Sequence, residues 1–317
     1  MFSLDPPLPF AYDLISLSFI AAILLLCFLS LAFIFHLRLK SRFYRHLHSF
    51  NSLWTVRFLL VSFITLWALN EILRLPFFRF QYLYPFLPSP TLDQQTRVCK
   101  IHVVLSLGFF EPGFLISLLF LVNVSVNKEK PRGTWALLLV LSTCLPILLL
   151  QTLFMFFSGW ELQFLPEIFQ RSSMVYKSTI GDETVLCAYP LVGTVVFGGF
   201  VVVYGMWFSM SCLRLVSLVI NKGLRVRIYV LAITVMVALP LQTLLLGLSV
   251  LWTPDQAVYG GVVLMVFLST LICTAVGQGF LVIRPITDSL AVGGCCRRLT
   301  WGEHSGPESR VQAVGGL

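Results

Sequence analysis

Charge is what this sequence has least of. Only 11% of its 317 residues are Asp, Glu, Lys or Arg, where a soluble domain carries about a quarter. That scarcity excludes an ordinary water-facing surface. The charge that remains is net basic, +8, but it is scattered over short segments rather than gathered on one face, so no nucleic-acid partner is expected. Polar stretches long enough to build a separate soluble domain are missing as well. The signatures of common catalysts are absent: no His-Glu-x-x-His, no Gly-x-Ser-x-Gly elbow and no phosphate-binding loop, so neither an enzyme nor a bound cofactor is expected. A His in the third run and a Glu in the second are too sparse to define a metal site. Lys40, Lys100, Lys128, Lys130, Lys177 and Lys222 all lie in links or at the ends of apolar runs, which excludes a retinal Schiff base inside a helix.

What fills the sequence instead is hydrophobic, 57% of it. About 20 apolar residues carry a helix across a hydrocarbon core of about 30 Å. Such runs stand at 12–37, 52–75, 101–125, 134–158, 188–213, 228–252 and 258–283. The expectation is an all-α, polytopic seven-transmembrane helix bundle over 1–298, with the bilayer as its solvent and a short disordered tail over 299–317. The second run is interrupted by Arg57, Asn70, Glu71 and Arg74; its two arginines lie near the ends, where long side chains reach the headgroups. The first run is too long for the core of a cleaved signal peptide, and the segment before it has aspartates but no Lys or Arg, unlike a transit peptide.

Orientation follows from sidedness of charge. Links after runs 1, 3 and 5 hold Arg38, Lys40, Arg42 and Arg45, then Lys128, Lys130 and Arg132, then Arg214, Lys222, Arg225 and Arg227. Links after runs 2, 4 and 6 contain fewer basic residues and hold Asp93, Glu161, Glu167, Asp182, Glu183 and Asp255. The positive-inside rule therefore puts the N-terminus outside and the tail, with Arg284, Arg297 and Arg298, in the cytosol. A multi-pass protein of the plasma membrane or an endomembrane is expected, with the basic loops available to a cytosolic partner.

Cys27, Cys144, Cys212 and Cys273 fall within or at the ends of runs, where a thiol is a small packing residue. Cys99, before run 3, and Cys187, before run 5, are the cysteines expected on the oxidising side. A disulfide between them is the economical reading, with two unpaired thiols as the alternative. Cys295 and Cys296 stand beside Arg297 and Arg298, an arrangement that fits S-palmitoylation next to anionic lipids. Pro240 in run 6 and Pro112 in run 3 each free a backbone carbonyl and bend a helix.

The chemistry-bearing residues are the polar groups inside the runs. Glu111 lies about ten residues into run 3, about 15 Å deep at 1.5 Å per residue, near the midplane. An intramembrane carboxylate is a candidate functional group by default, and it must be protonated, hydrogen-bonded or in a wet cavity. By the same depth count Asn70, Glu71, His102, Gln151 and Gln242 fall in the outer half. Together they define a candidate pocket open to the outside for a small-molecule ligand. The competing reading is that they only tie helices together.

Seven spans, an outer N-terminus, a cysteine at the mouth of helix 3 with a partner before helix 5, Pro240 in helix 6 and a lipidated short tail resemble the plan of G-protein-coupled receptors. The resemblance covers about 1–298 and is architectural. The inner end of helix 3 reads Leu121-Val122-Asn123-Val124-Ser125-Val126 where rhodopsin-like receptors carry Asp-Arg-Tyr, and Phe280-Leu281-Val282-Ile283-Arg284-Pro285 replaces Asn-Pro-x-x-Tyr. With Trp67-Ala68-Leu69-Asn70-Glu71 in helix 2, the chain is closest in look to uncharacterised plant seven-span candidate receptors. The resemblance implies an orphan receptor-like protein that senses a small ligand from the outer side. A proton-coupled transporter built on Glu111-Pro112-Gly113, or a non-enzymatic scaffold, are the alternatives.

Overall fold

The structure, a computed structural model, describes residues 7–43, 53–76, 79, 91–126, 133–156, 172–177, 183–220, 222–285 and 287. Among them stand seven helices long and apolar enough to cross a membrane. They are α1 (Pro7–Phe43), α2 (Trp54–Arg74), α3, α4 (Gly133–Phe156), α5 (Leu191–Leu218), α6 (Lys222–Ser249) and α7 (Ala257–Gln278). The third is built in three pieces, Leu92–Leu105, a π-helical turn Ser106–Phe110, and Glu111–Val126. Each helix packs on its chain neighbour, α1 closes on α7, and α3 touches α2, α4 and α5. The third span is 83% buried, against 56% for the next, so α3 is the core of the bundle.

The bundle is apolar on its outside. Phe28, Leu145, Val202 and Leu244 are exposed, while Ser117, Gln151, Gln242 and Gln278 are buried. A water-soluble bundle reverses that arrangement, and an exposed apolar surface of this extent needs something other than water to cover it. Small residues let the inner helices approach: a Cβ on Gly113 of α3 would overlap the Phe63 ring of α2.

Three features depart from the sequence reading. The third helix begins at Leu92 rather than 101, because Thr91 and Gln94 form a capping box in which each side chain accepts from the other's backbone N–H. That first stretch is polar and carries the exposed Asp93–Arg97 pair at 2.7 Å, so hydrophobicity does not mark it. The segment between α4 and α5 contains an antiparallel hairpin, β1 (Ser173–Lys177) with β2 (Glu183–Cys187), Ser173 opposite Cys187. Arg57, expected to reach a headgroup, is buried, and its Nε has no hydrogen-bond partner among the described residues. The tail, with Cys295 and Cys296, lies outside the described residues.

Two π-helical turns among the described residues, Ser106–Phe110 and Gly279–Ile283, have one local cause. Each ends one residue short of a proline: Ser106–Phe110 before Glu111-Pro112, and Gly279–Ile283 before Arg284-Pro285. In a regular α-helix a proline ring collides with the carbonyl four residues back and offers it no N–H. Widening by one residue relieves that collision, and the N–H of Glu111 reaches back five residues to Ser106, that of Arg284 to Gly279.

Candidate functional site

The end of the bundle at Cys99 is capped. Cys99 and Cys187 form a disulfide with Cα atoms 5.2 Å apart, within the usual span for such a bond. It fastens β2 to the first piece of α3. The guanidinium of Arg79 reinforces the join, donating to the Val185 carbonyl at 2.8 Å and to Cys99 Sγ at 3.6 Å. Gln95 Oε1 accepts from the Val185 N–H at 3.3 Å. Tyr259 of α7 donates its hydroxyl to the Cys187 carbonyl at 3.0 Å, so the cap is tied to the far side of the bundle as well.

Beneath the cap the polar residues of α2, α3 and α6 meet. Gln242 Nε2 donates to Glu111 Oε2 at 2.6 Å. Ser106 Oγ stands 3.1 Å from Glu111 Oε1 and 3.4 Å from Glu71 Oε1. Arg74 Nε donates to Glu71 Oε2 at 3.1 Å. The π-helical turn makes the Ser106–Glu111 contact possible: at 3.6 residues per turn two residues five apart face about 140° away from each other, whereas an i to i+5 turn stacks them. The single helix that looks apolar in sequence thus presents two polar groups on one face.

Asn70 and His102 make a reciprocal clasp between α2 and α3. Asn70 Nδ2 donates to the His102 carbonyl and His102 Nδ1 donates to the Asn70 carbonyl, each at 3.0 Å. Because a carbonyl only accepts, Nδ1 carries the proton. That leaves Nε2 to face the Tyr189 hydroxyl at 3.5 Å and Glu71 Oε1 at 4.0 Å. Burial, with the Glu71 charge second, pushes the Tyr189 hydroxyl well above its ordinary range, so it stays a neutral phenol.

A small cavity lies at the centre, lined among others by Trp67, Glu71, Glu111, Tyr189, Phe267 and Thr270. Trp67 and Phe267 stack along one wall with ring centroids 5.6 Å apart. About 10 Å³ of it admits the centre of a water molecule, room for one water. Of the six residues singled out from sequence, Glu71 and Glu111 line it, Gln242 holds Glu111, and Asn70 and His102 form the clasp beside it. Gln151 is elsewhere: it donates from α4 to the Gly193 carbonyl of α5 at 2.8 Å. A separate groove between α5 and α6, about 730 Å³ and almost wholly apolar, opens to the outside of the bundle beside Pro240.

Sequence reasoning passed over Ser106, Arg79 and Tyr189, named Trp67 only in the family resemblance, and gave Arg74 to the headgroups, where the structure turns it onto Glu71. Arg74 carried a usable signal, since three residues after Glu71 puts it on the same helical face. Ser106 carried one only through Pro112, whose widened turn reorients it. Among the described residues no cluster of three or more His, Cys, Asp or Glu is placed to hold a metal.

A family model described as uncharacterised conserved protein UCP031277 matches residues 9–299, and the chain belongs to that family. No curated protein matches it.

Proposed function

We propose that this member of the family is a receptor-like integral membrane protein, its N-terminus and capped end outside and its tail cytosolic, that takes a small ligand at Glu111 from the outer side. One observation carries the reading: a buried carboxylate on the central helix α3 is hydrogen-bonded to α6 and roofed by a loop pinned at both sides. A ligand displacing the Gln242–Glu111 contact would change how α6 packs on α3, which is a route from the outer face to the helix ends. The aromatic wall of Trp67 and Phe267 beside two carboxyl groups suits a molecule with a polar head and an apolar body. The cavity has room for one water, so a larger ligand needs it to widen, and Tyr189 is among the residues that line it. Orientation rests on the basic links, including Arg38, which stacks over Trp54 at 3.6 Å at the end opposite the disulfide. The reading includes S-palmitoylation of Cys295 and Cys296 in the tail.

Thermal unfolding of the purified protein in the presence of a small-molecule panel tests the proposal. A ligand at about 100 times its Kd adds about 2.7 kcal/mol of stability. The expected outcome is a compound that raises the Tm of the wild type and leaves Glu111→Gln and Glu111→Leu unshifted. Compounds that stabilise all three proteins equally would place binding elsewhere. Proton-coupled transport is the second reading, favoured by the interruption of α3 at Glu111-Pro112; substrate-driven acidification of proteoliposomes separates it from the first.

A further inference from the structure

Ser106 has one hydroxyl hydrogen and two carboxyl oxygens within reach, Glu111 Oε1 at 3.1 Å and Glu71 Oε1 at 3.4 Å. One O–H donates once. Both contacts are hydrogen bonds only if one carboxyl is itself a donor, and the surroundings decide which. Glu71 accepts from the Arg74 guanidinium at 3.1 Å, a cationic partner that Glu111 lacks. Glu111 has only neutral donors around it, the Gln242 amide at 2.6 Å, the Ser106 hydroxyl and the Trp67 indole, and among the described residues no salt bridge. Ionised, it would be a second buried anion facing the first across one serine.

The geometry points to Glu111 as a proton-binding site: its carboxyl carries a proton on Oε1 and donates it to Ser106 Oγ, whose own hydrogen goes to Glu71 Oε1. The chain Glu111 to Ser106 to Glu71 then satisfies every oxygen with one proton fewer than two acids and one more than two carboxylates. The titratable groups facing it are Glu71 from α2, Cys273 from α7 and Tyr189 from the cap, with Arg74 and His102 one step further on, against Glu71; α6 offers the neutral Gln242. Exchange with the medium runs toward the capped end, because the water-sized cavity touches Glu111, Glu71 and Tyr189 together. A proton leaving Glu111 passes to a water in that cavity or through Ser106, and Glu71 is left facing a second negative charge. This site goes beyond the ligand reading and does not depend on it, since its occupant is a proton whether or not a larger molecule enters.

Infrared spectroscopy of the whole protein in lipid nanodiscs tests it. The carbonyl stretch of a protonated carboxylic acid is separate from the carboxylate bands and shifts in deuterated water. At neutral pH the wild type is expected to show such a band, Glu111→Gln to lose it, Glu71→Gln to keep it, and alkaline titration to remove it. Ser106→Ala takes away the acid's acceptor and is expected to move the band without abolishing it. A wild type without the band at neutral pH overturns the proposal. So does a band that survives Glu111→Gln, or one that vanishes in Glu71→Gln alone. Should Glu111→Gln not fold, Ser106→Ala decides: an unmoved band means that the acid is not the one bonded to Ser106. Ligand shifts in Tm are a separate measurement, so failure of either idea is seen without the other.

Discussion

Glu71 and Arg74 sit three residues apart on α2, with side chains 5% and 14% exposed. A pair so sheltered is worth little against two apolar side chains, but breaking it leaves an uncompensated charge, at a cost of about 3–5 kcal/mol. Arg74→Met is therefore expected to lower the Tm sharply, and the double change Glu71→Gln with Arg74→Met to recover most of the loss. Thermal unfolding of the three proteins checks this, and a double variant no better than Arg74→Met would mean that something other than the stranded Glu71 is responsible. The residues that sequence makes visible are those whose chemistry is out of place in an apolar run: Glu111, Glu71, Asn70, His102, Gln242. Their grouping is less visible. Asn70 and His102 spend their hydrogen bonds on each other's backbone, and Gln151 holds Gly193, because depth in a helix says nothing of the direction a side chain faces. Ser106 is hidden for a different reason. Serine is ordinary in apolar helices, and only the widened turn makes this one a bridge.

At the scale of elements, the hairpin and α3 form one unit. The disulfide closes a segment 88 residues long in sequence, and in the chain-entropy model a loop of that size is worth about 4–5 kcal/mol. Cys99→Ser with Cys187→Ser is expected to lower the Tm, and reductant to lower that of the wild type to about the same value while leaving the variant unmoved. A reductant effect on the variant would point to another cause. The existence and order of the helices are legible because a run of about 20 apolar residues is hard to accommodate except as a spanning helix, while their ends run past the apolar stretch, as in Pro7–Phe43 against 12–37. The two misjudged elements lack that signal: Leu92–Lys100 is a polar, capped helix start, and the strands Ser173–Lys177 and Glu183–Cys187 are five residues each. Pro112 does announce irregularity, though as a bend rather than as the extra residue per turn that is found.

For the whole molecule, an odd number of spans puts the two ends of the chain on opposite sides. A tag at the N-terminus is expected to be reachable from outside intact cells and a tag after Leu317 only after permeabilisation; both tags on one side would mean that one of the seven helices does not cross. The cap also sets an order of events during synthesis. On the proposed orientation the Cys99–Cys187 bond can close once residue 187 has emerged, while Gln242 lies 55 residues further on in the chain. At about 5–20 residues per second that interval is about 3–11 seconds. During it α3 is already fastened at one end while Glu111 has no α6 to meet. The acid waits in a half-built bundle, and the arrival of the sixth helix is the step at which its environment becomes the native one. A chain stalled in that interval would hold Glu111 through Ser106 of its own helix but without Gln242 of the sixth.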